Sequence, residues 1–344
     1  MLLNRFSPYQ FANGVIARNR IVVPPMASQT ATADGHVTGQ TVAHYKRLSA
    51  AGAAIVFVEY TFVHRSGRGE ANQLGADDDS KIAGLQSVAQ TIQASGALAG
   101  LQLVHVGGKT TTTTTGQTPQ APSRIPVPVK GWDPDLPRAM SLEDIQNWKM
   151  WFLAATDRAV AAGFDLVELH AAHGYGLNQW LSPLTNQRVD QYGGTLAGRS
   201  LLLLEIVQTI KQKHRSLTLA VRIPAQDHFP GGLTLDEMHF VVDQLRLYGV
   251  NLIDVSSGIG GWRRPEGHRG EGYLVPDATQ IKTQTTLPVI GVGGIESSEY
   301  IDKILSLGYV DFAAVGRAIL TDPLNWQCRL LNQSAQKSYR QTCA

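Results

Sequence analysis

Eight short apolar runs, separated by helix-compatible segments, leave this chain very few folds to choose from. The runs are RIVVPPM at 20–26, AAIVFVEY at 53–60, LAGLQLVH at 98–105 and FDLVELHA at 164–171. They continue with LTLAVRIP at 217–224, VNLIDVSSG at 250–258, LPVIGVGG at 287–294 and VDFAAVGR at 310–317. Each is rich in Val, Ile and Leu and bounded by Gly, Pro or polar residues, as a buried strand should be. Helix starts lie between them. SLED from Ser141 and TLDE from Thr234 place an acid three residues after a capping hydroxyl, and Ser297 and Ser298 precede another helix. Strands alternating with helices make a parallel sheet, and eight of them predict closure into a barrel. An open doubly wound sheet would carry a glycine fingerprint after its first strand, and VVPPMASQ has none. The expected fold is α/β, a single (β/α)8 TIM barrel over residues 1–344 with long βα loops at its C-terminal face.

Two stretches interrupt the alternation. Thr110 to Thr115 are six consecutive threonines in a Gly/Pro/Gln-rich segment reaching about Asp135, which reads as a surface loop after the third strand. GIGGWRRPEGHRGEG at 258–272 reads as another loop, after the sixth strand. Both follow strand C-termini, the functional face of such barrels. Composition narrows the function classes. A net charge of +2, with Lys and Arg dispersed, gives no basic stripe for nucleic acid. No stretch approaches the roughly 18 to 20 apolar residues of a membrane span, and MLLNRFSPYQ lacks a leader pattern, so a cytoplasmic protein is expected. Cys328 and Cys343 are the only cysteines, too few for a disulfide framework or a cysteine-ligated iron–sulfur cluster.

Polar residues inside apolar strands point to chemistry. Alternation sends every second side chain into a barrel, so Glu168 and His170 share the face opposite Val167 and Leu169. Gln102 and Arg222 stand likewise among aliphatic neighbours, and Glu59 stands between Val58 and Tyr60. A buried charge is costly unless paired. Glu59 and Glu168 read equally well as members of buried ion pairs that only fix the fold. Gln102, His170 and Arg222, each toward a strand's C-terminal end, read as the floor of a site. The string ELHAAHGYGLNQWLSP then adds His173, three residues after His170, and Tyr175, two further on. Imidazoles so spaced could ligate zinc, but a third ligand is not apparent, and no metal site is expected. GVGGI at 291–295 and VGRAI at 315–319 end consecutive strands in glycine-rich turns, whose N–H groups suit a phosphate. Arg317 adds a positive fork for its oxygens.

These motifs together resemble the Old Yellow Enzyme family of FMN-dependent ene-reductases, in particular its short bacterial YqjM-like branch. The likeness covers nearly the whole chain: NRIVVPPM, LQLVHVGGK, ELHAAHGYGLNQWLSPLTNQRVDQYGG, VRIPAQD, LIDVSSG and VGRAIL occur in the family's order. It implies a single FMN-binding barrel with the cofactor at the C-terminal mouth and NADPH or NADH as reductant. Pro24, Pro25, Met26 and Ala27 would run along the flavin, and Tyr60 would lie beside it. Gln102 would meet its pyrimidine side, Arg222 its N1 region, and Gly293, Gly316 and Arg317 its phosphate. His170 and His173 would hold a carbonyl or nitro oxygen, and Tyr175 would protonate the α-carbon. The implied reaction is ping-pong reduction of activated C=C bonds in α,β-unsaturated carbonyl or nitro compounds, with quinones as further acceptors.

Two positions depart from the branch: Ala27 replaces a customary cysteine, and Gln29, at the substrate mouth, replaces a tyrosine. The tail SYRQTCA does not match the segment whose arginine reaches a neighbouring subunit, so a homo-oligomer is expected with its geometry open. A dienoyl-CoA reductase-like member would need a cysteine cluster and an appended domain, which this sequence lacks. A barrel that merely binds FMN or another phosphorylated ligand would have no use for His170, His173 and Tyr175 together.

Overall fold

The computed structural model describes residues 3–129, 131 and 134–332. The tail carrying SYRQTCA lies outside the described residues. Eight parallel strands close into a barrel: β1 (Ile21–Val23), β2 (Ile55–Phe62), β3 (Leu98–Val104), β4 (Leu166–His170), β5 (Thr218–Pro224), β6 (Leu252–Ser256), β7 (Val289–Gly291) and β8 (Phe312–Ala314). They pair in sequence order all the way round. The outer helices are α1 (Gly39–Ser49), α2 (Ile82–Gln93), α3 (Leu142–Ala161), α4 (Leu196–Lys213), α5 (Leu235–Leu247), α6 (Val275–Thr283), α7 (Ser298–Ser306) and α8 (Pro323–Asn332). Their starts follow the capping chemistry. The hydroxyl of Ser141 accepts from the Asp144 N–H while the Asp144 carboxylate accepts from the Ser141 N–H, and Thr234 and Glu237 do the same. Ser297 caps α7.

The large apolar core lies between the strands and the helices, and a smaller one fills the lower barrel with Val22, Ile55, Phe57, Leu166, Ala220, Leu252, Ile290 and Phe312. Gly100 has no side chain because the Phe57 ring occupies the space a Cβ would need. A hairpin the sequence did not announce, Tyr9–Gln10 with Ile16–Ala17, closes the bottom. Its Phe11 stacks on Phe312 with ring centroids 6.1 Å apart. With its lower half plugged, the barrel opens only at the C-terminal end of its strands.

Two expectations change. Thr112–Thr115 form a single helical turn, capped by the Thr111 hydroxyl and ended by a left-handed Gly116, and Thr110 is buried with its hydroxyl on the Arg68 carbonyl. Hydroxyl-to-backbone bonds thus tie down a run that composition marked as a surface loop. Along β2 a register shift between Val58 and Thr61 breaks the two-residue alternation. Tyr60 thereby lines the mouth, while Glu59 meets the Ser28 N–H at 3.0 Å, the Ser28 hydroxyl and the Tyr45 phenol of α1. Glu59 therefore forms no ion pair with these partners; it fastens the segment after β1 to α1.

Candidate active site

The site grows from the polar residues that register sets side by side at the strand ends: Gln102 beside Glu168, His170 beside Arg222, Arg222 beside Asp254. Gln102 donates its Nε2–H to Glu168 Oε1 at 2.7 Å, which leaves its own Oε1 as an acceptor. Arg222 Nε stands 3.2 Å from Asp254 Oδ2. Burial raises the pKa of both Glu168 and Asp254, mutual repulsion adds to it at Glu168, and Arg222 opposes both shifts. Glu168 is thus part of a buried charge cluster under the mouth, not a lone ion pair.

Above this floor, β4 ends and the chain turns through His173 and Gly174, both left-handed at φ 61° and 70°. A left-handed non-glycine residue is strained by about 1 kcal/mol or more, so something must hold it. His173 N–H donates to the Ser257 carbonyl at 3.0 Å, and its own carbonyl accepts from Lys109 Nζ at 2.6 Å. A Cβ on Gly174 would overlap the Ile259 carbonyl. Tyr175 then caps a short helix, Gly176–Leu181, with its phenol over the same opening. His170, His173 and Tyr175 form one cluster, with ring centroids of His170 at 4.9 Å from each of the other two.

A hydrogen bond assigns the tautomer of His170. The Ala172 N–H donates to His170 Nδ1 at 3.2 Å, so in the neutral ring the proton is on Nε2. His173 Nε2 lies 2.6 Å from Ser256 Oγ. If that hydroxyl donates, His173 carries its proton on Nδ1. Burial lowers both pKa values well below the usual histidine range, helped by the charges of Arg222 and Lys109. Both rings are therefore neutral, each with one N–H to give. Burial raises the Tyr175 phenol above its ordinary value, and the Glu70 carboxylate adds to the shift. Lys109 is pushed down to about 8 by burial and by Arg263.

The cavity at this mouth holds about 510 Å³ and is lined mainly by apolar surface. Pro24 and Pro25 form one wall with Met26 and Ala27, and two prolines leave no N–H unpaired there. Tyr60, Gln102, His170, His173, Tyr175 and Arg222 form the floor and one side. Gly293, Gly316 and Arg317 also line it, Gly316 against the proline wall, where a Cβ would come within 3.4 Å of Pro24 and Met26. A Cβ on Gly293 would reach within 2.7 Å of the Leu274 backbone nitrogen, and one on Gly294 within 3.0 Å of Arg317 Nη2. The helix after Gly316, Arg317–Thr321, has five residues, so the positive charge there comes from Arg317 more than from a helix dipole. Of the expected residues only Gln29 is not on the cavity surface; it donates to Glu70 Oε2 at 2.9 Å, and Glu70 is. Ser256, Glu70, Trp262, Arg264 and Tyr273 also face the cavity and were not singled out in the sequence. Only Ser256 left a trace there, a hydroxyl ending an apolar strand.

A model of the NADH:flavin oxidoreductase / NADH oxidase family matches residues 4–336. The chain belongs to that family. It is 37% identical over 326 residues to an NADH oxidase of Thermoanaerobacter brockii, covering 93% of this chain and 50% of that protein. It is 35% identical over 322 residues to an NADPH dehydrogenase of Geobacillus thermodenitrificans (strain NG80-2), covering 92% of this chain and 91% of that one. The chain thus spans half the length of the first relative and nearly all of the second. An Old Yellow Enzyme homologue from Zymomonas mobilis superposes with a TM-score of 0.82 at 24% identity over 96% of this chain and 93% of that chain, a likeness of fold. Among the described residues no helix is long and apolar enough to cross a membrane.

The family's flavin, FMN, suits the residues present. Arg222 lines the cavity with its Nε in an ion pair with Asp254 and no hydrogen bond, so its guanidinium brings fixed positive charge to the flavin's place. Gln102 Oε1 is an acceptor for a ring N–H. The Gly293 and Gly294 turn with Arg317 offers N–H groups and a guanidinium to a phosphate.

Proposed function

We propose that this chain is an FMN-dependent NAD(P)H oxidoreductase that reduces the C=C bond of α,β-unsaturated carbonyl or nitro compounds, with quinones as further acceptors. The observation that carries the reading is the cluster of two neutral imidazoles and one protonated phenol around a single apolar cavity. When bound, FMN supplies a carrier that takes two electrons from the nicotinamide and hands them on to the acceptor.

Everything else falls to the chain. Pro24 to Ala27 and Gly316 would flank the flavin ring, and Gln102 would accept from its N–H. Arg222 would put fixed positive charge at its electron-rich side, and Gly293 and Arg317 would hold its phosphate. His170 Nε2–H and His173 Nδ1–H would hold the acceptor's oxygen. As hydride reaches the β-carbon, the π electrons move to the α-carbon and that oxygen, and donors already in place stabilise the new charge. Tyr175 would then give its proton to the α-carbon. Its raised pKa ensures that it holds that proton at neutral pH, as a general acid must. Trp262 and Arg264, from the loop after β6, would limit which acceptors enter.

Stopped-flow measurement of the two half-reactions tests the reading. NADPH or NADH should bleach the yellow protein under anaerobic conditions, and a simple enone should restore its colour. Tyr175→Phe should leave the first step near normal and slow the second by about 10²- to 10⁴-fold, the usual worth of a general acid. No bleaching with either nicotinamide would refute the oxidoreductase assignment. Bleaching without recovery by enone, nitroalkene or quinone would refute the acceptor class.

A further inference from the structure

Outside the cavity, three side chains from different parts of the chain converge: His228 after β5, His268 in the loop after β6, and Asp277 in the first turn of α6. Their ligand atoms all lie within 4.8 Å of one another. Asp277 is buried, and the two imidazoles are half-buried. His228 Nε2 is 2.8 Å from Asp277 Oδ2, and His268 Nε2 is 3.9 Å from the same oxygen. His228 is held at φ 56°, a conformation that costs a histidine energy and that places its ring at the carboxylate.

The orientation of His268 is the informative detail. Its Nδ1 is 3.3 Å from the Glu266 carbonyl, which can only accept, so Nδ1 carries the proton. In the neutral ring Nε2 is then a bare lone pair facing the Asp277 carboxylate. Two acceptors aimed at one another call for a cation between them. A backbone carbonyl on the far ring nitrogen is also how proteins set the tautomer of a metal-bound imidazole.

We propose that His228, His268 and Asp277 bind one divalent transition-metal ion, with zinc the best match. Two imidazoles and one carboxylate suit zinc, cobalt or nickel better than the all-oxygen shells of magnesium or calcium. With metal–ligand bonds of about 2.0–2.2 Å, tetrahedral ligand atoms sit about 3.4 Å apart. The 2.8 Å pair opens by about half an ångström, the 3.9 Å pair closes by as much, and the two imidazole nitrogens, within 4.8 Å of each other, draw together as water completes the shell. The ion would pin His268 to two fixed points, and His268 lies in the same loop as Trp262 and Arg264 of the cavity wall. The site is thus a clamp on the mouth, not a participant in electron transfer.

The test uses the full-length, FMN-loaded protein after exhaustive dialysis against chelator. Equilibrium dialysis with Zn²⁺ should give one saturable ion per chain. Co²⁺ should give the visible bands of a tetrahedral N/O site, to the red of the flavin absorption. Zn²⁺ should also slow tryptic cleavage in the 258–272 loop. Losing an outer-shell partner alone weakens metal sites by about 10- to 100-fold, so His268→Gln should weaken binding by about 100-fold or more. That variant leaves the His228–Asp277 bond intact, and Asp277→Asn should act in the same direction. No saturable binding, or equal affinity in His268→Gln, would overturn the proposal and leave a proton as the cation between His268 and Asp277.

Discussion

His170 and His173 look equivalent in the sequence, but their surroundings give them different faces. A backbone N–H fixes His170, whereas His173 depends on one side chain, Ser256, for its tautomer. Removing that hydroxyl frees Nε2 to carry the proton and turns Nδ1 into an acceptor, the wrong polarity for an oxyanion. Ser256→Ala is therefore expected to weaken binding of phenolate ligands, which mimic the charged oxygen, by about tenfold or more. His170→Ala and His173→Ala each remove a donor to a charged group, worth about 1.5 to 3 kcal/mol. FMN content should stay unchanged in all three. Titrations following the flavin spectrum give the affinities. Unchanged binding in Ser256→Ala would mean that something other than this serine sets the His173 tautomer. The residue types were legible because imidazole and phenol at the end of an apolar strand have no packing reason to be there. Their tautomers were not legible, because Ser256 lies 83 positions away from His173.

At the scale of elements, every barrel strand could be read, since a strand covered on both faces must be an unbroken apolar run. Capping boxes marked helix starts for the same local reason. What failed was non-local or geometric. The β2 bulge depends on pairing with β3, so alternation alone could not show which way Glu59 faces, and its partners Ser28 and Tyr45 were not legible. That carboxylate has its own consequence. Burial raises its pKa from 4.5 to about 7, and the Ser28 hydrogen bonds offset the shift only in part. A folded-state pKa above the unfolded value means the folded chain holds the proton more tightly. The stability this provides is complete below about pH 4.5 and is lost as pH rises through about 7. The loss is on the order of 3 kcal/mol. Glu59→Gln cannot ionise and is expected to escape it. Thermal melts should show the variant gaining on the parent between about pH 5 and pH 8. Parallel pH profiles for the two proteins would show that Glu59 does not titrate in this window.

For the whole molecule, the candidate site is assembled at the ends of all eight strands, from Pro24 after β1 to Gly316 after β8. Sequence order alone places those ends together once the barrel is inferred, which is why Gln102, Arg222, Gly293 and Arg317 could be assembled without coordinates. The loops that cover them could not, because Glu70, Trp262 and Arg264 lie in segments with no periodic pattern to set their direction. The division of labour across the mouth is testable by changing the ligand as well as the protein. Arg317 stands at the Gly293–Gly294 turn, the proposed phosphate site, so its charge should act on the phosphate and not on the ring system. Binding to the native chain stabilises it by mass action, so affinity can be read from flavin fluorescence and from the rise in thermal midpoint on adding ligand. Arg317→Ala loses hydrogen bonds to a charged group and is expected to weaken FMN binding by about 10- to 150-fold. Riboflavin shares the ring and ribityl chain but lacks the phosphate, so its affinity should be the same for parent and variant. If the variant weakens both ligands equally, Arg317 supports the cavity wall and does not recognise phosphate. If it weakens neither, the phosphate site lies elsewhere and the backbone N–H groups of Gly293 and Gly294 lose their assignment with it.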